Sequence, residues 1–387
     1  MLTEYNLRFL KVLHYYGFWI TFVGWKHDKI KKICLPVRGV VIGLSSILAI
    51  YKLGQEGIQC IINGTVVYFP FMVYTFTIPI LLFKNRKHFL SLLLDFEDCW
   101  KFFCEEKERK VLERHYKRIW KVANYVHICF FFEIAFYAVM QLALDSVLHY
   151  VFDYLSKPHV LTYPHMGYLP TNRTWDGLYY VVAVVGCYNL VETLSVQLGW
   201  VILFVVIVAY CYPILLLTEK AFKNLLQYDG DPDSAALKKA VQSHQLLVKL
   251  NKDLKAFLGL PCAFETLFVS IILTLTAFTS VTSTDALVVG AYSSGFILHF
   301  LAALLYFSLG QLLENKSEEL FTILYDLRWY TFSPAVRKDL NMMIRQARKP
   351  FVIDFHGNYK FNLENFMQIL STSYSYFTII QTLTDNH

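Results

Sequence analysis

FNLENFMQILSTSYSYFTIIQTL, Phe361 to Leu383, is the stretch that decides what kind of molecule this is. Its length matches the ~20 helical residues that cross a bilayer, yet it is polar for a helix that would face lipid. On a helical wheel Glu364, Gln368, Ser371, Ser375, Thr378 and Thr382 fall on one narrow stripe, three or four residues apart. Phe366, Leu370, Phe377 and Ile380 occupy the opposite face. A membrane helix with a continuous hydroxyl stripe either packs that stripe into a bundle or lines water with it. One helix cannot enclose a pore, so lining water also requires several copies around an axis. Periodicity leaves both readings open.

The rest of the chain agrees that the setting is a membrane. Of its 387 residues 56% are hydrophobic, 17% aromatic and 17% charged, with a mean hydropathy of +0.40. Those values exclude a disordered chain or an ordinary soluble protein and imply an all-α polytopic membrane protein. Seven apolar runs read as transmembrane helices: Ile33–Leu53, Ile61–Phe83, Val122–Leu144, Asn189–Pro213, Cys262–Thr284, Ala286–Leu309 and Asn362–Leu383. No cleavable signal peptide is expected, because the first 32 residues carry six Lys/Arg and no clean apolar core.

Basic residues set the predicted orientation. Seven spans put residues 1–32, 84–121, 218–261 and 310–361 on one side, and 33 of the 36 Lys/Arg lie there or at the first span's boundary. Lys52, Lys157 and Arg173 are the remainder. This positive-inside bias predicts a cytoplasmic N-terminus and an extracellular C-terminus, the reverse of a G-protein-coupled receptor. The net charge of +6 reflects that bias and not nucleic-acid binding.

The predicted organisation follows. Residues 1–32 form a cytoplasmic segment rich in aromatics and bases, and 33–309 a six-span bundle with intracellular helical extensions at 84–121 and 218–261. An outer lid spans 145–176. Cytoplasmic anchor helices fill 310–361, the seventh span 362–383, and an extracellular tail 384–387. Gly177 to Thr218 is too long for one crossing, which predicts a helix that protrudes outward first. Leu237, Val241, His244, Leu247, Leu250, Leu254 and Phe257 make an apolar seam on a charged helix. His244 reads as a packing residue, since no partner sits at ligand spacing. Leu313, Leu320, Leu324 and Leu327 mark another helix, and Ser333-Pro334 an N-cap with proline at the first helical position. Lys349-Pro350 stops that helix, His356-Gly-Asn358 turns the chain, and Asn362 caps the last span.

Glu133 and His299 lie near the middles of their spans, where an ionisable group is costly. A satisfied contact inside the bundle and a contact with a polar ligand group both account for them. Eight cysteines form no CxxC pair; Cys60 and Cys187 could approach each other near the outer face. Asn172-Arg-Thr174 alone among three glycosylation sequons lies in a long outer loop. There is no HExxH, serine elbow or Cys/His cluster, so neither an enzyme nor a metal or cofactor site is expected.

From Asn315 to Leu383 the residues become specific. The Ser317–Glu319 start, Tyr325, Trp329-Tyr330, Lys338-Asp339-Leu340, Lys349-Pro350 and the terminal Ser373-Tyr374-Ser375-Tyr376-Phe377 closely resemble the C-terminal region of insect odorant receptors. Leu237–Phe257, with its central His244, looks like that family's second intracellular helix. In the family, four subunits form a ligand-gated cation channel that pairs a variable odorant-binding subunit with a shared co-receptor. The co-receptor has a longer second intracellular loop and ends in a Thr-Tyr-Phe pattern with a later Gln. Here the loop is short, Ser375 replaces Thr, and Thr382 stands at the Gln position. Those departures make the chain look like a tuning subunit and argue against a gustatory receptor; a homomeric gustatory-type ligand-gated channel is the alternative reading.

The resemblance implies a pore lined by the last span through Ser371, Ser375, Thr378 and Thr382, with Ile379 as a hydrophobic gate that blocks ions by dewetting. It also implies a pocket for a small volatile in the outer half of the bundle. Depth and helical phase nominate Phe69, Met72 and Val73; Phe136, Tyr137 and Met140; Thr193, Val196 and Gln197; and Tyr292 and Phe296. The partners implied are the co-receptor, an odorant, cations and membrane lipid, at the plasma membrane of a sensory dendrite.

Overall fold

The computed structural model describes residues 65–135 and 177–385 apart from 285, 356 and 358, together with positions 43, 47, 54, 147 and 150–152. The described chain is almost all helix. Its helices, numbered here in order, are α1 (Tyr68–Lys84), α2 (Arg86–Phe102), α3 (Glu106–Ala135) and α4 (Gly177–Lys223). After them come α5 (Ser234–Thr282), α6 (Ala286–Tyr325), α7 (Pro334–Ala347) and α8 (Leu363–Asp385). Three described stretches are long and apolar enough to cross a membrane, Thr193–Gln227, Ser234–Thr282 and Val289–Thr331.

Helix α4 is apolar on every side and therefore sits at the centre of the bundle. Nearly every side chain from Thr193 to Leu217 is buried, with Trp200, Leu203 and Phe204 at the heart of one continuous core. Around it pack α1, α3, α5 and α6, and α8 lies outside against α5 and α6. Val122, Tyr125, Ile128 and Phe132 recur at helical spacing on the exposed face of α3. That is the pattern of a helix whose outer stripe meets lipid instead of protein.

Several helices are longer than a membrane is thick, and their ends build one basic, charged layer. α5 continues without a break through Pro261. Proline cannot donate to the carbonyl four residues back, and here Asn85, the residue between α1 and α2, donates from Nδ2 to that Phe257 oxygen at 3.1 Å. The predicted boundary at 261 thus falls inside a helix. Likewise Leu313, Leu320 and Leu324 do not start a new helix. They extend α6, because their apolar stripe keeps the same phase across residue 309 and stays buried. Ser333 stands at the N-cap of α7 with Pro334 following, but its hydroxyl makes no capping bond; its backbone N–H donates to Asp231 Oδ1 at 2.5 Å.

Past α7 the chain turns through a two-residue hairpin, β1 (Asp354–Phe355) against β2 (Tyr359–Lys360), antiparallel with Asp354 opposite Lys360. Gly357 at its tip has φ +77°, a conformation in which a side chain would be strained. The hairpin lies flush on α5. A Cβ at Gly259 would come within 2.8 Å of the Asp354 carbonyl oxygen, and Lys255 Nζ pairs with Asp354 Oδ2 at 3.1 Å.

Candidate functional site

The foot of α8 is held from every side. Phe361, 3% exposed, stacks on Phe307 with ring centres 4.5 Å apart and also meets Phe204 and Tyr306. Its carbonyl lies where Gly310 of α6 leaves no side chain: a Cβ there would sit 1.8 Å from the Phe361 oxygen. Asn362 caps the helix as expected, its Oδ1 accepting from Asn365 N–H at 3.1 Å. The same side chain donates through Nδ2 to Glu314 Oε2 at 3.0 Å, and Lys360 Nζ donates to Glu314 Oε1 at 2.9 Å. Gln311 Oε1 accepts the Leu363 N–H at 3.2 Å.

Beyond the foot, α8 presents two unlike faces. Phe366, Ile369 and Ser373 are buried against the bundle, with Leu370, Phe377 and Ile380 half-buried beside them. A small hydroxyl seam fixes this face. Ser373 Oγ donates to the Ser270 carbonyl at 3.1 Å, and Thr274 Oγ1 donates to the Ser373 carbonyl at 3.2 Å. The stripe picked out by periodicity points away from it. Glu364, Gln368, Ser371, Ser375 and Thr382 are exposed, Thr378 is half-exposed and Ile379 is 54% exposed. Its hydroxyls donate back along their own helix, Ser375 to Ser371, Thr378 to Ser375 and Thr382 to Thr378, at 2.6 to 3.0 Å. Each oxygen keeps lone pairs facing outward. The helix–helix seam is therefore made by Ser270, Thr274 and Ser373, and the stripe remains available.

Inside the bundle the nominated residues separate. Met72, Thr193, Val196, Gln197 and Tyr292 are buried, and Phe296 is half-buried against the core. Thr75 Oγ1 donates to Thr193 Oγ1 at 3.0 Å, joining α1 to α4. Phe69 and Val73 instead stand on the outer surface of α1, 40% and 38% exposed. The inward face of that helix is Phe71, Met72, Tyr74, Thr75 and Ile78. Phe136, Tyr137, Met140, Asn172 and Cys60 lie outside the described residues, as do the side chains of Glu133 and Cys187. His299 packs edge-on against Phe71 of α1, centroids 5.4 Å apart, with Phe268 of α5 at 6.4 Å.

One residue passed over in the sequence is Glu265. It is the single charged residue between Cys262 and Thr284, and it is 1% exposed. The phenols of Tyr74 from α1 and Tyr306 from α6 face it, close enough to interact but without a well-aligned hydrogen bond to Oε2. Three helices therefore meet at one acid. An isolated charge in an apolar run was the legible signal.

The basic layer is built differently, from ion pairs on an apolar seam. Lys249 Nζ lies 2.6 Å from Asp95 Oδ1, yet desolvation outweighs that pairing and pushes the Asp95 carboxyl up to about 6. Lys316 joins α6 to α4 through Glu219 at 2.6 Å. His244 is buried edge-on to Phe222, and desolvation alone pushes it down to about 4. Next to it a cavity of about 30 Å³ is lined by Asn251, Ser317, Gln346 and Phe351. That is room for a water, not for an organic ligand. Among the described residues no group of His, Cys, Asp and Glu is arranged to hold a metal.

A family model described as the 7tm odorant receptor matches residues 59–374. Odorant receptor Or2 of Anopheles gambiae is 27% identical over 150 residues, 38% of this chain and 39% of that one. Odorant receptor 49a of Drosophila melanogaster is 26% identical over 151 residues, 38% of each chain. The matched part thus spans about two fifths of the length of these relatives. The solved structure of the insect olfactory receptor OR5 from Machilis hrabei in complex with eugenol superposes with a TM-score of 0.74. The pair is 16% identical over 99% of this chain and 98% of that one. A second structure of that receptor gives 0.75 at 15% identity. This likeness is one of fold, the seven-span helical bundle.

Proposed function

The chain belongs to the 7tm odorant receptor family, whose members are ligand-gated cation channels and not enzymes, and from that premise we propose that it is a tuning subunit of a heteromeric channel. In this reading it binds a small volatile among α1, α4, α5 and α6 and pairs with the family's co-receptor in a tetramer at the plasma membrane of a sensory dendrite. The basic layer would be cytoplasmic and hold the subunits together; Asn172 would carry a glycan on the outer lid. The short loop between α4 and α5, Ser375 and Thr382 favour a tuning subunit over a co-receptor.

The observation that carries the channel reading is the outward hydroxyl row of α8. Ser371, Ser375, Thr378 and Thr382 are left at the surface of one subunit while the opposite face is fixed to α5 and α6. Four such helices around an axis would enclose a water-filled path, with Ile379 as its apolar constriction. Ligand binding would favour the open arrangement of the bundle over the closed one and pass that preference to α8.

Whole-cell current during exposure to a volatile panel tests this, with the chain expressed alone and with the co-receptor. Current in the paired cells only, persisting when G-protein signalling is blocked, is the expected result. Odour-evoked current from this chain alone would replace it with a homomeric, gustatory-type channel.

A further inference from the structure

Resting on the reading of this chain as the odorant-binding subunit, we infer that His299 Nε2 is a hydrogen-bond acceptor in the ligand site, so that this subunit is tuned to small volatiles that carry a hydrogen-bond donor. Alcohols and phenols would be preferred over ethers, esters and hydrocarbons of the same shape.

The ring's own geometry fixes which nitrogen is free. His299 Nδ1 lies 2.7 Å from the Gly295 carbonyl oxygen one turn back on α6. A carbonyl can only accept, so Nδ1 carries the hydrogen, and in the neutral ring Nε2 is left with a bare lone pair. His299 is 5% exposed, and Nε2 has no hydrogen-bond partner among the described residues. Phe71 and Phe268 flank the ring, and among the described residues no carboxylate is paired with it to hold a second proton. A buried acceptor kept without a partner loses its hydration and gains nothing in return. A plain apolar residue would pack the same space at lower cost.

Its position says what the acceptor is for. Tyr292, Phe296 and His299 follow at i, i+4 and i+7 on one face of α6. Phe71, in ring contact with His299, adjoins the buried Met72 and lies one turn from Thr75, which is bonded to Thr193 of α4. The lone pair is therefore set close to α1, α4 and α6, the three helices that carry the described nominated pocket residues, with α5 closing the other side through Phe268. Gln197, one turn beyond Thr193, is also buried with its Oε1 unpaired, a second polar point on α4. Apolar walls with one or two fixed polar groups select a ligand by a single directed hydrogen bond.

The test uses matched pairs on the full chain co-expressed with the co-receptor: hexan-1-ol against 1-methoxyhexane, octan-1-ol against 1-methoxyoctane, and 4-methylphenol against 4-methylanisole. The donor member of each responding pair should have a half-maximal concentration roughly tenfold lower than its methyl ether. His299→Leu should bring that ratio to about one, and His299→Gln, which keeps an acceptor, should hold it well above one; surface biotinylation controls for folding. Equal potency within pairs in the unaltered chain overturns the inference and points to a water as the partner of Nε2. A ratio unchanged in His299→Leu overturns it as well. Absence of current to every pair from surface-delivered subunits overturns the channel reading beneath it, which is a different failure from donor-independent current.

Discussion

The foot of α8 and its outward row are parts of one helix that obey opposite rules. At the foot, Phe361, Asn362 and Lys360 are fixed by ring stacking, by Glu314 and by a backbone approach that only Gly310 permits. Along the row, Ser371, Ser375, Ile379 and Thr382 are exposed, and the Ser375 and Thr382 hydroxyls bond back along their own helix. A lever needs that asymmetry: an end that cannot move and a surface free to adopt two arrangements. Between them, the Ser270–Ser373–Thr274 seam joins α8 to α5 through neutral bonds. Such bonds are worth about 1 kcal/mol each and can be exchanged.

The sharpest way to break the contrast is Gly310→Ala. The new methyl would meet a backbone oxygen, not the end of a flexible side chain, so α6 and the start of α8 must separate. The expected loss is about 3 kcal/mol or more, seen as a lower melting temperature of the purified protein in detergent and reduced surface delivery. A melting curve matching the unaltered chain would mean the foot is not rigidly packed.

Protonation probes the same contrast, because the outward row of Ser371, Ser375, Thr378, Ile379 and Thr382 carries only hydroxyl and apolar groups, which do not titrate near neutral pH, whereas the basic layer holds His244 and Asp95. His244 is neutral when folded, with its pKa near 4, and reverts to the usual 6.5 when unfolded. Its contribution is therefore present above pH 6.5 and lost as pH falls toward 4, about 2 kcal/mol by pH 5. Asp95 runs the other way, since a carboxyl raised to about 6 stabilises the fold as pH falls through that value. The His244 part is isolated by comparison with His244→Phe, which should gain melting temperature over the unaltered chain as pH drops from 7 to 5. A constant difference across that range would show that the ring is not buried in the neutral form.

Least disruptive to the fold, and most telling for function, is Ile379→Ser. At a surface position more than half exposed the change in stability should stay within about 0.5 kcal/mol. Ligand-independent current from the paired channel should rise. Unchanged basal and evoked currents would count against Ile379 as the gate.

How much of this was legible in the residues depends on how local each signal is. The hydroxyl stripe of α8, the cap at Asn362, the helix start at Ser333-Pro334, the turn at Gly357 and the apolar spans follow from period, capping chemistry, proline geometry and hydropathy, which act within a few residues. The bias of 33 among 36 Lys/Arg predicts the orientation by the same kind of counting. The separation of Phe69 and Val73 from Phe71 and Met72 was not legible, because a helix that is apolar all round carries no phase until neighbours choose its inner face. Nor was the union of Glu265 with Tyr74 and Tyr306, which are 191 and 41 residues away in sequence and meet only when three helices pack. The role of Gly310 is the clearest case. Glycine in an apolar helix reads as a tolerated weakness, and only the packed chain shows a carbonyl from 51 residues downstream occupying the space its side chain would fill. Local patterns thus settled which segments are helices and which surface is polar; the relative placement of those helices settled which residues touch, since close packing leaves room for one arrangement that no single segment encodes.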